Sequence, residues 1–429
     1  MSVRLSKNQL GLVSSLPPDL LAISFYYPPA NNPRAIQVAR LLRHAGLATS
    51  LVCSAYVDIT DRRDERQVSE AESFLQDIYR IPFTVSPLRR KITGLVSRVT
   101  RPVWEEWPDS FRSWKDDVVS FLSDLFEQRK SKPTAMITFG SPMSDHLIGL
   151  EIKRTHKLPW MAHFSDPWVD NPFKNYGWLT GRANLILERQ VVESADRLLF
   201  TSEETIDLVM AKYPEQLREK CRVLTHSYES SKYRHDQRPM DEVTIRFLGD
   251  LYGLRTPRPL FKALDSIHRE KPKLLENLKL EFVGSMCELD VMEMGLRELP
   301  PNLVVLRETV AYNESLDLMS SADGLVVIDA PADTSPFLPS KLVDYIGAGK
   351  PVLGITPPGT ASRLIVELGG WVGNPADPQQ VKEALEEFIG ALRELRKNKQ
   401  RVWGEGAVRL RYDAKSVGKG FRDLVIELG

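Results

Sequence analysis

Residues 337–352 read Phe337-Leu-Pro-Ser-Lys-Leu-Val-Asp-Tyr-Ile-Gly-Ala-Gly-Lys-Pro-Val352 and lie between two apolar runs, Gly324–Ile328 and Pro351–Ile355. Both runs have the length and composition of buried parallel strands. The loop carrying Ser340 and Lys341 therefore opens a helix at the carboxyl end of a strand, where open α/β sheets bind ligands and helix N-terminal N–H groups attract phosphate. Lys341 adds a point charge to that cradle. Asp344, one helical turn on, is spaced to accept hydrogen bonds from ribose hydroxyls. Together they suit a nucleoside diphosphate.

Outward from this segment, strand-like runs alternate with helical periods along the whole chain, the pattern of α/β layers with parallel sheets. In the first half, strands are expected at 20–26, 49–53, 135–139, 160–164 and 197–200, with helices at 33–45, 142–155, 183–194 and 203–212. The polar, aromatic-bearing stretch 225–241 reads as a linker. Strands at 244–248, 279–283, 303–306, 324–328, 352–355 and 370–372 follow, then helical periods at 378–395 and 416–428. Two doubly wound, Rossmann-like domains facing a cleft are the expected assembly.

The chain has 429 residues, enough for two domains at ~100–200 residues each. Lys and Arg (57) balance Asp and Glu (57), so overall charge proposes no polyanionic partner and no nucleic acid. Cys53, Cys221 and Cys287 are far apart and form no metal or redox pair. No apolar run approaches the ~20 residues of a membrane span, and residues 1–20 lack the apolar core of a signal peptide. The expectation is a cytoplasmic protein. No Gly-x-Gly-x-x-Gly follows the first strand, no His-Glu-x-x-His occurs, and Gly347-Ala-Gly-Lys350 follows a helix, so it is not a P-loop.

Pro339-Ser-Lys-Leu-Val-Asp-Tyr345 with Gly349-Lys-Pro-Val352 resembles the Pro-Ser-Lys-x-x-Glu-Tyr and Gly-Lys-Pro-Val segments of the retaining, family 4 nucleotide-sugar glycosyltransferases. That resemblance implies the two-domain GT-B fold: 1–225 as the acceptor-side domain, 226–405 as the nucleotide-sugar domain, and 406–429 as a helix returning to the first. Three further segments are similar to the family. Phe25 to Ala35 looks like its Pro-Pro-x-x-Gly-Gly-x-x-Arg loop, with Asn31 and Asn32 where glycines are usual and Arg34 near the phosphates or the acceptor. Asn tolerates left-handed backbone, so a tight turn is still expected there. Leu158 to Trp168 delivers Asp166, the carboxylate expected to orient the acceptor hydroxyl. His163 on the same strand reads as a core or rim residue, and the aromatics at 168, 173, 176 and 178 either stack on sugar or cover the core.

Phe247 to Arg258 places Gly249 and Gly253 after a strand and Pro257 at a helix start, a geometry suited to phosphate. The resemblance puts Arg255, with Arg258 second, at the basic position on the diphosphate. Arg255 and Lys341 would then neutralise the leaving group. The family's Glu-x7-Glu becomes Pro336 and Asp344 here, so the donor sugar loses a side-chain partner, and backbone amides in 334–338 would have to substitute.

The implied activity is metal-independent transfer of a sugar from a nucleoside diphosphate to an acceptor hydroxyl, with retention. Catalytic residues are expected to be Asp166, Arg255 and Lys341. Donor-binding residues are expected to be Asn32, Arg34, Gly249, Arg255, Ser340, Lys341 and Asp344. No cofactor or metal is implied. A catalytically inactive binding or scaffold subunit of the same fold is the alternative, and a sugar-nucleotide epimerase a weaker one. Residues 78–104 carry six Arg or Lys and no acid, with apolar residues at helical spacing from Leu88 to Val103. This suits peripheral contact with an anionic membrane and a lipid-linked saccharide acceptor, or else a helix packed on the first sheet.

Overall fold

The computed structural model describes residues 19–55, 66–83, 108–129, 132–174, 176–234, 242–251, 253–285, 299–398 and 402–429. Most of the basic stretch 78–104, residues 84–104, lies outside them. The chain forms two compact units, Met1–Thr225 with Val417–Gly429, and His226–Ser416.

In the first unit, β1 (Asp19–Ile23), β2 (Ala48–Ser54), β3 (Asp77–Ile81), β4 (Ala135–Gly140), β5 (Trp160–Phe164), β6 (Arg197–Phe200) and β7 (Cys221–Val223) form one parallel sheet in the order 3-2-1-4-5-6-7. The inner strands are almost wholly buried because helices cover both faces, which is why they read as continuous apolar runs. β1 pairs with β2 on one side and β4 on the other, Leu20 lying opposite both Thr49 and Ala135. The strand order therefore reverses between β1 and β4.

In the second unit, β8 (Val243–Leu248), β9 (Leu278–Val283), β10 (Val304–Arg307), β11 (Gly324–Ile328), β12 (Val352–Ile355) and β13 (Trp371–Gly373) run in the order 10-9-8-11-12-13. The reversal here falls between β8 and β11, where Leu325 lies opposite Arg246. Each unit is thus a doubly wound sheet with its own switch point. Ligands of such sheets sit beyond the strand carboxyl ends at that crevice.

Several expectations need correction. The edge strands β3 and β7 escaped the sequence reading because they are short and carry charge. In β3, Asp77 accepts from Arg129 at 2.8 Å and Arg80 pairs with Glu72 at 2.6 Å. The helix Arg112–Gln128 was not placed from the sequence; its Trp114, Val118, Leu122 and Phe126 recur every four residues and are buried. The presumed linker 225–241 includes Tyr228 and Tyr233, both in the second unit's core. Tyr228 exchanges backbone hydrogen bonds with Tyr412 and Ala414. The segment expected to return from residue 406 instead stays in the second unit to Ser416. From Val417 onward the helix Ala414–Leu428 belongs to the first unit. There Phe421 and Val425 join Leu20, Ala22 and Leu42, and Arg422 Nε donates to Ala45 O at 2.5 Å.

Candidate functional site

The second unit's switch point gathers most of the expected donor residues. β8 ends at Leu248 and passes into Gly249, whose φ of +118° favours glycine. An added Cβ there would stand 2.8 Å from Lys341 Nζ, so the missing side chain makes room for the ammonium. Gly284, at the end of β9, has φ of +146°, and a Cβ would meet Gly249 O at 2.2 Å, so two strand ends are packed backbone to backbone. The Leu248 N–H donates to the Tyr345 hydroxyl at 3.0 Å, and burial pushes that phenol well above its usual range. Tyr345 lies on the helix Ser340–Ala348, so its hydroxyl ties that helix to the strand end.

Lys341 sits in the first turn of that helix, its Nζ 4.2 Å from the centre of the Phe247 ring. Among the described residues it forms no hydrogen bond or ion pair. Burial, then the charge of Arg255, lower its pKa to about 7, against an opposing pull from Asp250 and Asp329. Arg255 reaches across the switch point, its Nε donating to Asp329 Oδ1 at 3.3 Å. Asp329 is buried just beyond β11, and it also accepts from Ala330 N at 2.9 Å and Ser335 Oγ at 2.8 Å. Two cations thus share a desolvated crevice, one anchored by a carboxylate and one not. Such a pair favours an incoming dianion. Ser340 opens the same helix and is partly exposed, whereas Arg258 lies exposed at the start of the helix Arg258–Glu270.

Asp344 is buried, and its Oδ1 accepts from the Tyr233 hydroxyl at 2.9 Å and more distantly from Tyr312 at 3.5 Å. Any ribose would have to share that carboxylate with the tyrosines. The loop after β11 is stapled down: Ser335 N donates to Pro358 O at 2.8 Å, and Thr360 Oγ1 to Pro336 O at 3.0 Å. The Ser335 amide expected to help replace the missing glutamate is therefore already spent.

The first unit's switch point holds the other candidates. Asn32 has φ of −121° and N-caps the helix Pro33–Ala45, its Oδ1 accepting from Ala35 N at 2.9 Å. Neither Asn31 nor Asn32 is left-handed, so the expected glycine-like turn is replaced by a cap. Arg34 is no solvated first-turn residue. Its guanidinium donates to Gly140 O at the end of β4 and lies 3.2 Å from His163 Nδ1. Its Nε is buried and has no hydrogen-bond partner among the described residues. Burial lowers its pKa to about 10, while Asp166 and Asp145 favour its charge, so it stays cationic near neutrality. His163 is buried and bridges Arg34 to Leu224 O, 3.4 Å from its Nε2, which fits the rim role read from sequence. Asp166 is partly buried, with Ser165 Oγ donating to its Oδ2 at 3.1 Å.

Several positioning groups were not visible in the sequence. Trp168 is fully buried, and its indole N–H donates to Asn184 Oδ1 at 2.8 Å, so it covers the core and does not stack on sugar. Glu188, one turn beyond Asn184 on the helix Trp178–Ser194, is wholly buried. It accepts from Val169 N at 2.9 Å, Tyr213 OH at 2.8 Å and Lys212 Nζ at 2.8 Å. The loop carrying Asp166 is therefore held from below by one helix face. Deeper still, Asp145 accepts from Phe25 N at 2.8 Å, and burial raises its pKa well above the carboxylate range. His146 holds Thr138 Oγ1 at 2.8 Å, and burial pushes its pKa down to about 3. The i, i+4 spacing of Asn184 and Glu188 was the one sequence signal for the loop clamp.

No protein-family model matches the chain. Solved glycosyltransferase structures do. A structure described as trehalose-6-phosphate from E. coli bound with UDP-2-fluoro glucose superposes with a TM-score of 0.65 at 12% identity, over 96% of this chain and 99% of that one. WaaG, a glycosyltransferase involved in lipopolysaccharide biosynthesis, gives 0.58 at 14% identity, over 95% and 99%. With the two doubly wound sheets, these likenesses establish the GT-B fold. Among curated proteins, the D-inositol 3-phosphate glycosyltransferase of Streptomyces avermitilis is 26% identical over 222 residues, 48% of this chain and 47% of that protein. The match thus spans under half the length of that relative.

Proposed function

We propose that the protein is a retaining glycosyltransferase that moves a sugar from a nucleoside-diphosphate donor to an acceptor hydroxyl, in polysaccharide or glycoconjugate synthesis. The observation that carries this reading is Lys341, a desolvated amine in no hydrogen bond or ion pair among the described residues, beside Arg255 at the mouth of a switch point. The leaving diphosphate develops negative charge there, and preorganised cations contribute most where charge develops. Holding the acceptor hydroxyl on the same face of the sugar as the departing phosphate, which takes its proton, contributes the rest. The second unit holds the nucleotide through Gly249, Arg255, Ser340 and Lys341, with Asp344 toward the ribose. The first offers Asp166 to orient the acceptor hydroxyl, and Arg34, whose charge interacts with Asp166, as a neighbouring cation. Support for the class comes from the similar glycosyltransferases and from the Pro339–Tyr345 motif. The test is release of nucleoside diphosphate from UDP-, GDP-, TDP- and ADP-sugars with candidate acceptors. Binding of a nucleoside diphosphate without turnover of any would favour the scaffold alternative.

The same reading makes the reaction independent of metal, because Lys341 and Arg255 supply the positive charge that a bridging ion otherwise provides. Activity is expected to persist in excess EDTA. Loss in EDTA with recovery on Mg²⁺ or Mn²⁺ would assign leaving-group neutralisation to an ion and remove it from this pair.

A further inference from the structure

The bond between Arg255 and Asp329 crosses the second unit's switch point, from the loop after β8 to the residue that follows β11, the two strands on either side of the order reversal. Asp329 is 1% exposed. Both of its carboxylate oxygens are engaged. Oδ1 accepts from Ala330 N at 2.9 Å as well as from Arg255 Nε at 3.3 Å, and Oδ2 accepts from Ser335 Oγ at 2.8 Å. Ser335 is clamped in turn, its N–H donating to Pro358 O at 2.8 Å and its carbonyl accepting from Thr360 N at 3.1 Å. Gly359 leaves room for that clamp, since a Cβ there would overlap Ser335 O. The carboxylate is therefore fixed by its own loop, and the bond to Arg255 is the longest of its three.

A buried carboxylate beside a diphosphate site needs a reason, because its charge repels the ligand and its desolvation is unfavourable. The loop does not require the charge. An amide at this position can accept from Ala330 N with its oxygen and donate to Ser335 Oγ with its nitrogen. The two cations do require it. The charge of Arg255 is near enough to Lys341 to lower its pKa, so without a ligand the pair repel one another. Lys341 is fixed in the first turn of a helix, whereas Arg255 stands on a loop, so Arg255 is the one that repulsion would displace. Asp329 opposes that displacement. Asp250, the other acid whose charge reaches Lys341, is exposed and accepts from Ser285 N and Oγ, both at 2.8 Å, so it is tied to the end of β9 instead.

We propose that Asp329, oriented by Ser335, is a positioning residue that holds Arg255 in the crevice before the diphosphate arrives. This rests on the diphosphate reading of the site. The test is titration calorimetry of the full chain, at fixed pH and ionic strength, with whichever of UDP, GDP, TDP and ADP the wild type binds best. Removing a negative charge from an anion site strengthens binding when charge alone acts, so the sign of the change separates the roles. Asp329→Asn is expected to weaken binding about five- to tenfold. Asp250→Asn also removes a charge near Lys341 but leaves the Arg255–Asp329 bond in place, and should leave affinity unchanged or raise it. In an Arg255→Ala background, itself weakened about tenfold or more, Asp329→Asn should cost nothing further. Ser335→Ala keeps the charge but loosens its orientation. It should give a smaller loss that also vanishes without Arg255, and it carries the test if melting shows Asp329→Asn to be unfolded. Unchanged or tighter binding by Asp329→Asn and Ser335→Ala would overturn the proposal and leave the diphosphate site standing. So would an equal loss with and without Arg255, which would make Asp329 a support of its loop alone. A wild type that binds none of the four nucleotides would sink the proposed function and this role together.

Discussion

Lys341→Ala is expected to weaken nucleoside diphosphate binding by tenfold to a hundredfold. A charge-assisted hydrogen bond to phosphate contributes about 1.5–3 kcal/mol, and no other described cation approaches Gly249 as closely. The pH dependence separates this loss from a general one. In the free protein burial holds the Lys341 pKa near 7, far below the 10.5 of an unstrained lysine. A diphosphate restores charge partnership and raises that pKa, so binding above neutrality must take up a proton. Affinity should therefore be greatest near and just below the free-protein pKa. It should fall about tenfold per pH unit as pH climbs above it, until the pKa of the complex is reached. Titration calorimetry in two buffers of different ionisation heat reads the uptake directly: close to one proton for wild type about a unit above that pKa, none for Lys341→Ala. Equal uptake in both proteins would move the titrating group elsewhere. The ligand-free protein carries the opposite sign. A lysine whose folded pKa is depressed binds fewer protons folded than unfolded between about 7 and 10.5, so its contribution to stability rises with pH across that window.

That Lys341 opens a helix between two parallel strands was legible in the sequence; what surrounds it there was not. Two apolar runs flanking Pro-Ser-Lys fix a strand, a loop and a helix start, and local pattern suffices for that. β5, β6, β11 and β12 could be read to the residue because strands buried on both faces show as uninterrupted apolar runs. Edge strands β3 and β7 have to accommodate charge and solvent, so the same signal fails there. The partners of the site residues are further removed from any local pattern. Asp329 comes 74 residues after Arg255, and Tyr345 97 after Leu248, and only the parallel pairing of β8 with β11 brings them together. Asn32 shows a subtler limit. The resemblance reads it as a substitute for glycine in a turn, whereas a preference for the helix cap also explains an Asn just before Pro33, and the structure realises that one.

The largest effect on stability is expected from Glu188→Ala, because this carboxylate is wholly buried and is shared by three donors on two loops. Val169 N–H, Tyr213 OH and Lys212 Nζ would all lose an acceptor at once. Removing one partner of a buried ion pair typically costs about 3–5 kcal/mol, since the charge left behind stays desolvated. Lys212 retains Asp170, which tempers the loss. Glu188→Gln keeps one acceptor oxygen and the side chain's shape, and should cost only about 1–3 kcal/mol. Urea denaturation of the two variants gives the ranking. Amide exchange over residues 165–170 locates the effect. In Glu188→Ala that loop should open well before β4 and β5, because the Val169 amide loses its acceptor while the strands keep their ladder. Slowed sugar transfer with unchanged nucleoside diphosphate affinity would then connect the clamp to the acceptor side, since the partners of Glu188, Val169, Lys212 and Tyr213, belong to the first unit. A cost below about 1 kcal/mol for Glu188→Ala would mean that water replaces the carboxylate without penalty, and the Asp166 loop would then owe its position to its other ties, such as Asn184 to Trp168 and Thr201 to Ser165 O.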